Sequence, residues 1–120
     1  MKVAISAKGK ELDDEIDPRF GRAAYFIIVD PKTMEFKAVD NRQNIEAMQG
    51  AGIQAARTVA EEGAGLLITG HCGPKAFMTL QAAKVNVAVN VTGTVREAVE
   101  KFKKGEISYA ASPNVEGHWR

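Results

Sequence analysis

One cysteine, Cys72, is all that this 120-residue sequence contains, and an intramolecular disulfide is therefore excluded. Neither positive nor negative charge predominates, because the chain has 16 Lys and Arg residues and 15 Asp and Glu residues and thus a formal net charge of +1. A chain so close to neutral has no overall field that would attract nucleic acid or an anionic membrane. We therefore expect neither as a partner, and any affinity for anions must be local.

Long hydrophobic runs are also missing. Residues 1–6 form a short apolar start that Lys8 and Lys10 interrupt, too soon for a signal peptide or a membrane span. Without a disulfide or such a segment, the reducing cytoplasm is the expected location. With 45% apolar and 26% charged residues, the composition is that of an ordinary globular domain with a single core.

The sequence does contain apolar segments of two kinds, some with the pattern of strands and some with the pattern of helices. Strands are predicted for the β-branched and alternating runs at residues 2–7, 25–30, 34–39, 64–68 and 85–89. Helices are predicted for the periodic segments at residues 53–62, 74–84 and 95–104. This order predicts a single α/β domain at residues 1–105, followed by a C-terminal tail at residues 106–120.

The predicted sheet is mixed and five-stranded, carries three helices, and has the strand order of the ribonuclease H-like group. Because crossovers between parallel strands are right-handed, the simplest topology leaves only the second strand antiparallel. The loops after the other four strands then emerge at one edge, where open α/β sheets usually bind ligands. These loops comprise residues 8–22, 40–52, 70–74 and 90–93. We expect residues 8–17, which carry five acidic side chains, to be an exposed excursion.

The turn after the fourth strand carries the most distinctive chemistry. His71 and Cys72 lie there between Gly70 and Gly73, just before a helix predicted to begin at Pro74. Free amides at a helix start favour anions, and the same field is expected to lower the pKa of a nearby thiol. The alternative is that Cys72 is only a small apolar residue of the core.

The neighbouring loops add cationic and soft groups to this edge. Arg19, Arg22 and Met48, together with glycine-rich backbone, suit a bulky, soft, anionic ligand that carries sulfur on its surface. In the alternative interpretation the arginines only pair with Asp17 and Asp30, and Met48 only covers the loop.

Three classes of activity are disfavoured by what these segments lack. A two-metal nuclease needs carboxylates on the first strand and at the end of the fourth, and residues 2–6 and 66–70 carry none. A zinc site needs three or four ligands, and His71 and Cys72 supply only an adjacent pair. A cysteine hydrolase is disfavoured because His71, next to the candidate nucleophile in the chain, points away from it on most turns.

Three segments together resemble the dinitrogenase iron–molybdenum cofactor biosynthesis family. They are residues 1–5, residues 17–30 with Asp-Pro-Arg-Phe-Gly-Arg at their start, and residues 70–77 with Gly-His-Cys-Gly-Pro-Lys at theirs. The resemblance extends from residue 1 to about residue 105. It implies a ribonuclease H-like domain that binds metal–sulfur clusters as a carrier or scaffold and not as an enzyme.

The resemblance also implies a site. The expected cofactor contacts are Arg19, Phe20, Gly21, Arg22, His71, Cys72 and Gly73. Of these, His71 and Cys72 are the expected metal ligands. The implied cargo is an iron–molybdenum-type metal–sulfur cluster or its precursor, exchanged with a donor or acceptor protein. A role accessory to nitrogen fixation is expected from the family name, although the domain alone does not imply a nitrogenase role. Two alternatives stay open: a protein-interaction or regulatory module without a cluster, and a small phosphate- or nucleotide-binding enzyme.

Overall fold

Strand β1 (Lys2–Ala7) lies at the centre of the sheet, because its side chains are apolar or small on both faces. Val3, Ala4 and Ile5 are fully buried. The computed structural model describes residues 1–45 and 50–114. In these residues the other strands are β2 (Tyr25–Val29), β3 (Phe36–Asp40), β4 (Ala64–Ile68) and β5 (Asn86–Ala88). The helices are α1 (Arg42–Ile45), α2 (Ala51–Glu61), α3 (Pro74–Ala82) and α4 (Val95–Lys103), with a 3₁₀ turn at Phe20–Arg22.

The strands follow the order β3-β2-β1-β4-β5. β1 runs antiparallel to β2, with Ile5 opposite Ile27, and parallel to β4, with Ile5 opposite Ile68. The β2–β3 pair is antiparallel and the β4–β5 pair is parallel, so β2 alone runs against the other strands. The predicted five-stranded mixed sheet is thus confirmed, and its order is consistent with a ribonuclease H-like topology.

Each face of the sheet has its own apolar layer, because side chains alternate between the two faces along a strand. Helices α2 and α3 cover one face, where Phe26, Leu67 and Leu80 belong to one buried cluster. Helix α4 covers the other face, where Ile5 and Val99 belong to a second cluster. Both faces of the sheet are therefore covered, and the loops at the carboxyl ends of the strands, which we call the strand-end edge, are the part of the sheet that can contact a ligand.

The loop at residues 8–17 is only in part the exposed excursion that its acidic side chains predict, since Glu11, Asp13 and Glu15 are exposed. Leu12 and Ile16 are buried in the cluster beneath α4. Main-chain carbonyls of Leu12 and Asp14 also accept from the first amides of α4. The prediction was wrong for the rest of the loop, because two buried apolar side chains and these hydrogen bonds attach it to the domain.

The remaining predicted helices and strands are confirmed within about two residues at each end. The segment at residues 40–52, predicted as loop, contains the short helix α1. Asp40 caps that helix, since its carboxylate accepts from the Arg42 amide at 2.8 Å. Helix α2 begins at Ala51, two residues earlier than predicted, after Gly50 with a φ of 78°.

Part of the C-terminal segment lies against the sheet. The Ala110 amide donates to Val87 O at 2.6 Å, and Asn114 reaches the turn after β4. Residues 106–114 therefore extend from α4 past β5 to the strand-end edge, and residues 115–120 lie outside the described residues. None of the helices in the described part of the chain is long and apolar enough to cross a bilayer.

Candidate functional site

Main-chain hydrogen bonds join two of the predicted loops. We call residues 17–22 the arginine loop and residues 70–73 the His71 turn. The amide of His71 donates to Pro18 O at 2.7 Å, and the amide of Phe20 donates to His71 O at 3.4 Å. The structure therefore brings together the two segments that carry all seven predicted contact residues.

Gly70 permits this close approach. A Cβ atom added at Gly70 would lie 2.7 Å from Pro18 Cα and 2.9 Å from Pro18 O. These separations are shorter than van der Waals contact, and both atoms belong to the backbone. The two loops can therefore meet in this way only over a glycine.

Buried polar side chains support the two loops from the sheet. Ser6 Oγ, near the end of β1, donates to Asp17 O at 2.7 Å and lies 2.8 Å from Thr69 Oγ1. All three residues are buried. Because their polar atoms are paired, they fix the start of the arginine loop at little cost. The sequence analysis did not identify this group. Its only indication in the sequence is a small polar residue at the end of each of two apolar strands, Ser6 in β1 and Thr69 after β4.

Arg19 presents its guanidinium to solvent while its neighbour anchors it. The side chain of Arg19 is 66% exposed and that of Asp17 is 5% exposed. Asp17 Oδ1 accepts from the Arg19 amide at 3.0 Å and from Arg19 Nε at 3.3 Å. The Arg19–Asp17 pair considered from the sequence is thus present. It orients Arg19 without removing its charge from the surface.

Phe20 and Gly21 face the interior. Phe20 is buried against Phe26, with the ring centroids 5.2 Å apart. Gly21 lies against the start of α2, because a Cβ added there would be 3.0 Å from the amide nitrogen of Gly52. These two residues therefore shape the loop and leave its charged side chains at the surface.

Arg22 has a partner other than Asp30. Its Nη1 donates to Ile45 O, at the end of α1, at 2.7 Å. The Asp30 carboxylate accepts instead from the Lys32 amide at 2.9 Å. A guanidinium that donates to a neutral carbonyl keeps its full charge, so Arg22 adds to the positive potential of this edge.

The thiol of Cys72 is buried. The residue is 1% exposed and belongs to the same apolar cluster as Phe20 and Phe77. Burial raises the pKa of the Cys72 thiol to about 12. The expectation that the helix start lowers this pKa was wrong, because removing the thiolate from water outweighs the helix dipole. The alternative interpretation of Cys72 as a core residue agrees with this environment.

His71 is the exposed soft group of the site. Its Nδ1 lies 3.4 Å from Asn114 Nδ2. Helix α3 begins at Pro74, and within the described residues no side chain caps it at Gly73. Pro74 has no N–H, and the Phe77 amide donates to Gly73 O. The amides at the start of α3 without an intrahelical partner are therefore those of Lys75 and Ala76, and such amides favour an anion.

Asn114 is a residue of this edge that sequence reasoning missed. Its Oδ1 accepts from the Cys72 amide at 2.8 Å, and its Nδ2 donates to Gly70 O at 2.9 Å. Asn114 and Cys72 are 42 residues apart in the chain. No local pattern could have joined them, because only the path of residues 106–114 places them together.

The described residues do not supply a complete set of metal ligands. Among residues 1–45 and 50–114, no group of three or more His, Cys, Asp and Glu side chains is placed to hold a metal ion. Met48, a predicted soft group, lies outside the described residues. The edge therefore offers arginines, main-chain amides and one exposed imidazole, which suit an anion that carries most of its own inner ligands.

The fold and this edge define a small single-domain α/β protein with cationic and main-chain groups at the ends of its strands. The chain belongs to the family described as Dinitrogenase iron-molybdenum cofactor, whose model matches residues 1–105. The resemblance seen in three sequence segments is thereby confirmed.

Three known proteins are similar to this chain in sequence or in structure. The apo form of the orange protein from Desulfovibrio gigas is 48% identical, with 95% of this chain and 96% of that chain covered and a TM-score of 0.93. A NifB-like protein from Thermotoga is 35% identical, with 97% and 98% covered and a TM-score of 0.82. An uncharacterized protein of Methanocaldococcus jannaschii is 29% identical over 112 residues, with 89% of this chain and 89% of that protein covered.

Proposed function

We propose that this protein binds and carries an anionic metal–sulfur cluster, of the iron–molybdenum type or a precursor of it, and catalyses no reaction. The observation that carries the proposal is the joining of the arginine loop and the His71 turn at the strand-end edge. Membership of an iron–molybdenum cofactor family and the 48% identity to the orange protein support it.

Charge and backbone account for the affinity. Arg19 is exposed and held by Asp17, and Arg22 keeps its charge on a carbonyl partner. Guanidinium groups donate to anions through a planar fork, and the amides at the start of α3 add a favourable field. The cluster's surface sulfides are the acceptors for these donors. Because the chain as a whole is nearly neutral, this local potential determines where an anion binds.

The metal contacts in this proposal are His71 and Cys72, and His71 is the more accessible of the two. The imidazole of His71 is exposed, whereas the thiol of Cys72 reaches a metal only if the His71 turn shifts. Phe20, Gly21 and Gly73 shape the surface around them. With two soft ligands from the protein, the cluster's own sulfur completes the coordination, which makes the cluster a cargo that can be handed on.

The setting we propose is the cytoplasm, with a donor or acceptor protein of the cluster as partner and a role accessory to nitrogen fixation. The single cysteine supports the reducing cytoplasm, and membership of the iron–molybdenum cofactor family supports the accessory role.

Anaerobic reconstitution tests the function and the site together. The full chain is incubated with iron, sulfide and tetrathiomolybdate, separated from free reagents, and analysed for metal, sulfide and visible absorption. We expect the wild-type chain to retain metal and sulfide, and a His71→Ala/Cys72→Ser double variant to retain less than about a tenth as much, since both proposed metal contacts are lost and even groups that only orient a ligand are worth about 10–100-fold in metal affinity.

A Gln81→Ala variant, altered at an exposed position of α3, is the matched control and should load like the wild type. Equal loading of the double variant and the wild type would contradict the site assignment. A wild-type chain that stays colourless and metal-free would contradict the function and favour a protein-interaction or regulatory module of the same fold.

A further inference from the structure

The side chain of Asn114 joins two loops of the strand-end edge. Its Oδ1 accepts from the Cys72 amide at 2.8 Å. Its Nδ2 donates to Gly70 O at 2.9 Å and to Asn90 Oδ1 at 3.2 Å. One amide side chain thus links the His71 turn to the loop after β5.

Main-chain contacts hold Asn114 in this place. The Asn114 amide donates to Cys72 O at 3.3 Å, and four residues earlier the Ala110 amide donates to Val87 O at 2.6 Å. We call residues 110–114 the clasp. Because residues 111 and 112 within it are exposed, its contacts with the domain are concentrated at its two ends. A segment held at two points can release one end without unfolding the sheet.

Asn114 engages two polar groups of the His71 turn that could also contact an anionic cargo bound there. The Cys72 amide precedes the start of α3 and donates to Asn114 Oδ1. The Nδ1 atom of His71 faces Asn114 Nδ2 at 3.4 Å, so this imidazole nitrogen is engaged on the side of the clasp. A cluster that binds these two groups therefore has to displace Asn114 from them.

We propose that Asn114 sets the affinity of this site by competing with the cargo: the clasp closes over the His71 turn in the free protein and its Asn114 end is released when an anionic cluster binds. This inference rests on the proposed function. Asn114 Oδ1 stands in for a cluster sulfide as the acceptor of the Cys72 amide. Release of the clasp couples cargo binding to the exposure of residues 110–114, which a partner protein can sense.

The expected change in affinity depends on the fraction of molecules in which the Asn114 end of the clasp is released. The apparent dissociation constant of a ligand equals its intrinsic value divided by the fraction of the protein in the binding-competent state. If about nine molecules in ten are clasped, removing the Asn114 side chain tightens binding about tenfold. A residue that merely supports the loop would have the opposite effect, because its removal would weaken binding.

The test is equilibrium dialysis of the full chain against tetrathiomolybdate under anaerobic conditions. We expect Asn114→Ala to bind about tenfold more tightly than the wild type. Ser112→Ala, at an exposed position of the clasp, should match the wild type. Equal or weaker binding by Asn114→Ala overturns the proposal while leaving the carrier function intact.

If neither the wild type nor the variants bind tetrathiomolybdate, amide hydrogen exchange still tests the clasp. That outcome contradicts the carrier function and, with it, competition between Asn114 and a cargo. Exchange of the Cys72 amide then tells whether the clasp itself exists. Faster exchange in Asn114→Ala than in the wild type shows that Asn114 closes the turn, and unchanged exchange shows that it does not.

Discussion

We expect iodoacetamide to modify Cys72 about two-thousandfold more slowly in the folded protein than in the unfolded chain at about pH 8. The thiolate is the reactive form, and with a pKa of about 12 roughly one thiol in ten thousand is ionised at that pH. At the ordinary cysteine pKa of about 8.5, roughly one in four is ionised. Burial of the sulfur among Phe20 and Phe77 slows the reaction further.

Mass spectrometry of timed samples measures this reaction without ambiguity, since Cys72 is the only cysteine. The unfolded reference is the same chain in concentrated guanidinium. In the folded protein the rate should rise about tenfold for each pH unit between about pH 7 and 10, because ionisation is far from complete. A rate that levels off near neutral pH would mean that the helix start controls the thiol and that the buried geometry is wrong.

The same raised pKa makes folding less favourable in alkali. In the folded state Cys72 holds its proton up to about pH 12, whereas in the unfolded chain it loses the proton near its ordinary pKa. The stabilisation linked to this proton is therefore complete below about pH 8.5 and is lost progressively as the pH rises toward 12. A Cys72→Ser variant should lack this part of the alkaline decline in the free energy of unfolding.

Replacing Gly70 with alanine should lower the free energy of unfolding by about 3 kcal/mol, which is the upper part of the range for overpacked sites. The new Cβ would lie 2.7 Å from Pro18 Cα, and backbone cannot rotate away as a flexible side chain can. Relief requires the arginine loop to move, which breaks the 2.7 Å hydrogen bond from the His71 amide to Pro18 O. Stability and site geometry are therefore lost together.

Gly52→Ala is the matched control for this substitution. Gly52 lies in α2, and a Cβ added there has its nearest contact at 3.3 Å, with Ala76 Cβ. Alanine is favoured over glycine within a helix by about 1 kcal/mol, which counteracts the small shift of Ala76 that this contact requires, so this variant should lose much less stability than Gly70→Ala. Denaturant unfolding followed by circular dichroism measures both variants. A Gly70→Ala chain within about 0.5 kcal/mol of the wild type would contradict the close packing of the two loops.

Most of the fold could be predicted from the sequence because its strands are strongly patterned. β1 and β4 are short apolar runs between polar loops, and their bounds agree with the prediction. Helix α4 begins with a capping box in which the Glu97 amide donates to Thr94 Oγ1 at 3.1 Å, as the sequence spacing indicates. Helix α1 was missed because four polar and apolar residues without a periodic stripe give no signal of their own.

Of the site, the sequence could predict which loops lie close together, because the order of the strands determines that, but not the surroundings of each side chain. Parallel strands bring their carboxyl ends to one edge, so the closeness of Arg19 and His71 follows from the order of strands. The environment of Cys72 depends instead on how Phe20 and Phe77 pack, which spacing along the chain does not reveal. The contact of Asn114 depends on the path of the C-terminal segment, for which the sequence has no periodic pattern.

The central claim is that this edge holds an anionic metal–sulfur cluster, and its most direct test is the metal and sulfide content of the protein purified without oxygen from its own host. We predict that molybdenum or iron and acid-labile sulfide copurify with the chain in amounts near one cluster per molecule, and that the protein is coloured. A colourless chain free of metal and sulfide, purified together with a discrete protein partner, would contradict the claim.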